Sequence, residues 1–342
     1  MMRSEIRRGT SMADLLPGPG AVRLILALMI VAEHISGLRI GGPAFMAVFV
    51  LSGYWVARSW DLRYRQLPRP EATFWLSRIL RLWPLYAVVF LGTTLVLAQV
   101  AGRYDPATWA GLPILGLASH GLDRIGIAWS LDILLQFYLL LPLLWALAGR
   151  TGPAGAALWV LAAAAAGWAL ILATGLVLLP AFLPLFALGW AAHARGWRVP
   201  LWGALAAGAG FVLVAGAALV LPDWRGFVIG GSGSFGGDKL FALVWVLPLV
   251  PALLWSVRRP SGAADRLLGE IAYPVFLLHY PVIVTGRALL GRDYSAPEKL
   301  ALVAAVLAAA LVLHLVLGRP LEALRQRVVR GRAARPLAGE SA

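Results

Sequence analysis

Apolar runs of roughly membrane length follow one another along this chain, separated only by short polar segments. About ten can be marked, near 21–38, 43–59, 76–100, 128–148, 155–174, 176–193, 201–221, 239–257, 268–289 and 297–317. An α-helix rises about 1.5 Å per residue, so about 20 apolar residues cross the roughly 30 Å hydrocarbon core. No water is available there to bond exposed backbone groups, and a helix satisfies its own. The pattern therefore predicts an all-α fold, a polytopic membrane helical bundle of about ten transmembrane helices. Composition agrees: 60% of residues are hydrophobic and 13% charged, against about half and a quarter in soluble domains.

Charge supplies the orientation. The formal net charge is +14, which by itself would suit a nucleic-acid partner. Its distribution argues otherwise. With the N-terminus inside, roughly 21 Lys and Arg residues fall in inner segments and about 8 in outer ones, as the positive-inside bias requires. Both termini are thus expected to be cytoplasmic, in a bacterial inner membrane, with no nucleic-acid partner. The 15 Trp residues suit membrane interfaces. The chain has no Cys, which excludes disulfides, thiol nucleophiles and thiolate metal sites.

Three parts are expected. Residues 1–20 form a polar, basic cytoplasmic segment, 21–317 the membrane domain, and 318–342 a basic cytoplasmic tail that starts helical and ends disordered. The first apolar run carries Arg, Glu and His, so it reads as a retained helix and not a cleaved leader. The outer loop 222–238, PDWRGFVIGGSGSFGGD, is Gly/Ser-rich and expected to be mobile.

The chemistry is expected in the first run, AVRLILALMIVAEHISGL. Ionisable groups at membrane depth are costly and usually functional. Arg23 and His34 are eleven positions apart, close to three turns, so they share a helix face. They are separated by roughly 16 Å along the axis. That face presents a cation near the inner surface and an imidazole well inside. Arg78 and Arg81, three apart at the start of the third run, lie at the same depth as Arg23. Guanidinium groups bind phosphate oxygens in pairs, although two arginines at an inner surface can also just follow the positive-inside bias.

Further polar residues fall within the spans. FVLSGY supplies Ser52, near mid-depth, and Tyr54; WSLDILLQFYLLLP supplies Asp132 near the outer end and, deeper, Gln136 and Tyr138. IAYPVFLLHYPV supplies His279 between Pro274 and Pro281, which should kink that helix and free carbonyls. Ser52 and Gly53 serve close helix packing as readily as a ligand contact. His279 and His314 are read first as groups that satisfy interhelical bonds.

Taken in order, these segments resemble the integral-membrane acyltransferase type 3 family. The matches are Arg23 with His34 after ten residues, FVLSGY, RILRLWPLY, WSL…QFYLLLP, LPLFALGW and IAYPVFLLHYP. The resemblance implies an O-acyltransferase using cytoplasmic acetyl-CoA or another acyl-CoA, without a metal, and an acceptor hydroxyl on an envelope saccharide or lipid-linked glycan. It also implies that His34 is catalytic and that Arg23, Arg78 and Arg81 bind the donor. Ser52, Tyr54, Asp132, Gln136, Tyr138 and His279 are then expected to orient substrate. The chain departs from the family pattern at Leu134 and Gly318, where a Glu is common. His34 can act as general base or as acyl-carrying nucleophile, and the residues do not separate the two. A transporter or flippase for a lipid-linked saccharide is the alternative, since ten spans with polar mid-depth residues fit it. No internal repeat supports that alternative.

Overall fold

The computed structural model describes residues 17–102, 106–120, 123–230 and 235–333. Expectations for residues 1–16, for the Gly/Ser core of the outer loop at 231–234, and for the tail beyond 333 lie outside the described residues. Among the described residues the fold is helical, with no β-strand and one isolated bridge between Leu38 and Ile229.

Every apolar run of the sequence is occupied by helix. The helices are α1 (Pro19–Ile35), α2 (Gly41–Ser59), α3 (Pro70–Ala101), the short α4 (Leu117–His120), α5 (Trp129–Thr174) and α6 (Leu183–Ala194). They continue with α7 (Leu201–Val220), α8 (Gly237–Trp245), α9 (Val250–Ser256), α10 (Ala263–Leu290), α11 (Ala296–Leu313) and α12 (Arg319–Ala333). Among the described residues, six helical stretches are long and apolar enough to cross a membrane. Helix α5 is one stretch of 46 residues covering two of the expected runs, and Gly152 divides it with φ 67° and ψ 178°, a conformation only glycine adopts freely. The run at 176–193 is shorter as a helix than its apolar length suggests. It forms a 3-10 turn at Leu179–Phe182 followed by the 12-residue α6.

The bundle's outer surface is apolar. Leu158, Leu172, Leu213, Val220 and Leu300 stand 64–80% exposed. Large apolar side chains this exposed on several helices fit lipid better than water.

Two glycine crossings set the frame around α1 and α2. Gly53 of α2 and Gly189 of α6 face each other. A Cβ on Gly53 would collide with the Phe186 carbonyl, and one on Gly189 with the Val50 carbonyl. Small residues permit this backbone approach, so Gly53 in FVLSGY serves helix packing. At the second crossing, Gly20 of α1 abuts the backbone of α10 at Asp265 and Gly269. The Asp265 carboxylate also accepts the Gly20 and Ala21 N–H groups at 3.1 and 2.8 Å. One helix thereby caps another, satisfying N–H groups that a helix start leaves free. Helix α10 runs unbroken from Ala263 to Leu290 through Pro274 and Pro281. Helix α12 folds back onto α3.

Candidate active site

A cavity of about 400 Å³ lies inside the bundle. Its walls follow helical stripes. Arg23, Ala27 and Ile30 come from α1, and Phe45, Phe49, Ser52 and Ser59 from α2. Leu134 and Tyr138 come from α5, and Gly269, Tyr273 and Phe276 from α10. Each set repeats at three or four residues, the spacing that keeps side chains on one helix face.

One end is cationic. Arg23, Arg63, Arg78, Arg81 and Arg325 all line the cavity there. Arg78 is the most buried cavity arginine after Arg325, at 7% exposure. Its Nη2 donates to Ser59 Oγ at 2.5 Å. Its guanidinium carbon lies 4.9 Å from the Phe74 ring centre and 5.4 Å from that of Tyr138. No carboxylate among the described residues reaches ion-pair distance of Arg78, and its Nε has no hydrogen-bond partner. Arg325 differs, because Glu322 neutralises it while its Nη1 donates to Ser77 Oγ at 2.8 Å. Arg23 rests its guanidinium over Gly269, where a Cβ would strike it. Several guanidinium forks around one opening are what polyanion recognition by paired oxygens requires.

The other end is aromatic and leads to the imidazoles. Phe45 and Phe276 meet edge to face with centres 5.8 Å apart. Phe276 is 6.3 Å from His279, and His279 is 5.1 Å from His34. His34 stays on the Arg23 stripe, but the cavity wall on α1 ends at Ile30, and the imidazole connects to Phe276 only through the His279 ring. Helix α1 stops at Ile35, so His34 occupies its last turn and not the middle of a longer span. The His34 ring also touches Tyr280 at 5.1 Å between centres.

Local hydrogen bonds determine which nitrogen of each ring is free. His34 Nδ1 sits 2.8 Å from the Ile30 carbonyl, and His279 Nδ1 sits 2.8 Å from that of Phe276. A carbonyl only accepts, so Nδ1 carries the proton in both rings and Nε2 of the neutral form keeps a lone pair. Neither Nε2 has a hydrogen-bond partner among the described residues, and that of His279 is fully buried. Two unprotonated ring nitrogens therefore lie at this end.

A family model described as an acyltransferase domain, of type 3, matches residues 17–319. The chain belongs to this acyltransferase family. It is 28% identical over 334 residues to Acyltransferase MdmB of Streptomyces mycarofaciens, covering 84% of this chain and 82% of that protein. No solved structure matches it. The chain is thus a membrane acyltransferase by family and by its apolar helices.

The acyltransferase cavity gathers some of the expected residues and leaves others out. Arg23, Arg78, Arg81, Ser52 and Tyr138 line it, and His34 and His279 pair beyond its aromatic end. Asp132, Gln136 and Tyr54 do not line it. Gln136 Nε2 donates to Asp132 Oδ1 at 2.9 Å, Asp132 Oδ2 accepts the Ala118 N–H at 3.1 Å, and Gln136 Oε1 accepts the Leu179 N–H at 2.8 Å. These two side chains fasten α4 and the 3-10 turn before α6. Tyr54 packs against Trp55 and His193. His314 Nε2 lies 3.2 Å from Glu270 Oε2 of α10, yet that nitrogen makes no hydrogen bond among the described residues. Leu134 makes the wall apolar where the family often has Glu.

Arg63, Arg325, Tyr64 and Tyr273 were not singled out by sequence. Arg325 lay in a tail whose basic residues follow the positive-inside bias, and only the return of α12 onto α3 brings it to the cavity. Among the described residues no three His, Asp or Glu side chains converge as a metal site would need.

Proposed function

We propose that this acyltransferase moves an acyl group, acetyl in the first instance, from cytoplasmic acyl-CoA to a hydroxyl of an envelope or exported saccharide. In this reading ten spans cross a bacterial inner membrane, both termini are cytoplasmic, and the arginine end of the cavity faces the cytoplasm. One observation carries it: a continuous cavity begins among five guanidinium groups and ends at the aromatic pair beside His34 and His279. Arg23, Arg78 and Arg81 hold the CoA phosphates. The roughly 16 Å between Arg23 and His34 along α1 accommodates the pantetheine arm, which brings the thioester to the phenylalanines.

His34 then acts as general base through Nε2, with its Nδ1–H fixed on the Ile30 carbonyl. Its proton comes from the acceptor hydroxyl and returns to the departing CoA thiolate. A side-chain movement of Phe45 or Phe276 opens the last step to the imidazole. Ser52 and Tyr138 orient the arm, and His279 holds the His34 ring by edge contact.

The test uses membranes carrying the wild type or His34→Ala, given labelled acetyl-CoA and envelope fractions. Label is expected on glycan with the wild type and absent with His34→Ala at equal membrane content. Equal labelling by both refutes the assignment of His34, and no label with the wild type refutes the donor or the acceptor class.

A further inference from the structure

Lys239, in the first turn of α8, is a buried ammonium group that the reading above leaves without a task. It is 7% exposed. Its Nζ lies 5.4 Å from the Trp129 ring centre and 6.0 Å from that of Phe45. Phe45 also forms the aromatic end of the cavity. Lys239 does not line that cavity; it lines a small separate pocket together with Glu33, the residue before His34, so it stands at the imidazole end, opposite the arginines.

The charges around it are otherwise committed. Arg39 and Asp238 form an ion pair at 2.6 Å. Glu33 Oε2 accepts the Gly42 N–H at 3.0 Å, and Glu33 lines the same small pocket as Lys239. No carboxylate among the described residues comes within ion-pair distance of Nζ. Burial of an ammonium without a paired anion costs several kcal/mol, and cation–π contacts offset about 2 kcal/mol of that. Such a group in an apolar bundle marks a place where negative charge arrives.

We infer that Lys239 is the group that stabilises the oxyanion formed on the acyl carbonyl beside His34. The inference rests on the acyl-transfer reading. The acceptor hydroxyl oxygen bonds to the thioester carbonyl carbon while its proton passes to His34 Nε2, and the carbonyl electron pair moves onto oxygen. That pair returns as the carbon–sulfur bond breaks, and the thiolate leaves with the proton from His34. Lys239 donates a hydrogen bond to the oxygen throughout and transfers no proton. The flexible four-carbon stem lets the ammonium follow the oxygen.

The experiment compares wild type, Lys239→Met and Lys239→Arg in detergent or liposomes, measuring kcat, the donor KM and Tm. Removal of one oxyanion donor costs about 10²–10³-fold in kcat. Lys239→Met is therefore expected to lose about 10²–10³-fold in kcat, with donor KM within about threefold and Tm equal or higher. Lys239→Arg, which keeps the charge, is expected to recover part of the rate. A kcat for Lys239→Met within about threefold of wild type overturns the inference while leaving the function intact. A Tm loss, or failure to fold, with activity falling only as the folded fraction falls makes Lys239 a structural cation and also overturns it. Absence of transfer by the wild type overturns the function and this inference together.

Discussion

Arg78 gives the sharpest test of the arginine end, because its burial and its missing counter-ion pull in opposite directions. Replacement by Met keeps most of the volume and removes the charge. The free protein loses one hydrogen bond to Ser59 and ring contacts to Phe74 and Tyr138, together about 1–3 kcal/mol. It also loses the several kcal/mol cost of a buried, unpaired cation. Tm of the free Arg78→Met protein is therefore expected to equal or exceed that of wild type. Donor binding responds differently. A charge-assisted hydrogen bond to phosphate contributes about 1.5–3 kcal/mol, and 2 kcal/mol corresponds to about 30-fold in Kd. CoA at 100 times the wild-type Kd stabilises the wild type by about 2.7 kcal/mol. At that concentration the variant gains only about 0.9 kcal/mol, a third of the wild-type effect. Thermal unfolding in detergent, with and without CoA, measures both quantities. Equal CoA stabilisation of the two proteins refutes the phosphate role, and a large Tm loss without CoA refutes the claim that the free site holds an uncompensated charge.

Two further predictions address the frame. Gly53→Val is expected to disrupt the α2–α6 crossing, because its side chain meets the Phe186 carbonyl, and to cost more than about 3 kcal/mol. Gly92→Ala, which has open space around its Cβ position, is expected to be neutral or to stabilise by up to about 1 kcal/mol; size-exclusion profiles and Tm in detergent distinguish the two. In the loop before α5, burial pushes the Asp123 carboxyl up to about 6 from its ordinary 3.8, against the opposing backbone N–H bonds from Gly126, Trp129 and Ile125. The folded state then binds the proton more tightly than the unfolded chain, so stability falls as pH rises from about 4 to 6, by up to about 3 kcal/mol, and is level above. Tm measured across that range should show this slope in wild type and lose it in Asp123→Asn; parallel curves contradict the assignment.

The Arg23–Ala27–Ile30–His34 stripe was legible in the sequence because helical spacing alone determines which residues share a face. The FVLSGY segment divides as spacing would have it, Gly53 toward α6 and Ser52 toward the cavity. Contacts between distant segments were not legible. Asp132, near the outer end, and Gln136, one turn deeper, looked like substrate ligands, yet they accept the Ala118 and Leu179 N–H groups, which lie in the short α4 and a 3-10 turn that periodicity does not locate. Arg325 and Asp265 act on helices 248 and 245 positions away in the chain, and no local pattern encodes such a pairing. Lys239 is the first residue of the apolar run at 239–257, and only the packing of α8 shows it to be buried among aromatic rings.

The distribution of buried charge then argues for one reaction path. Asp265, Asp132, Arg325 and Glu33 all have partners in the folded chain, through backbone N–H groups or an ion pair. Among the described residues neither Arg78 nor Lys239 has a carboxylate within ion-pair distance; Arg78 lines the cavity, and Lys239 lies against the Phe45 ring that forms the wall of its other end. A bundle stabilised by apolar packing keeps an unpaired cation only where something anionic completes it. In the proposed function the anion at the Arg78 end is permanent, a phosphate of the donor. In the inference drawn for Lys239 it is an anion that exists only while the acyl group is in transit. This difference predicts that losing Arg78 weakens donor binding, whereas losing Lys239 slows turnover of donor already bound.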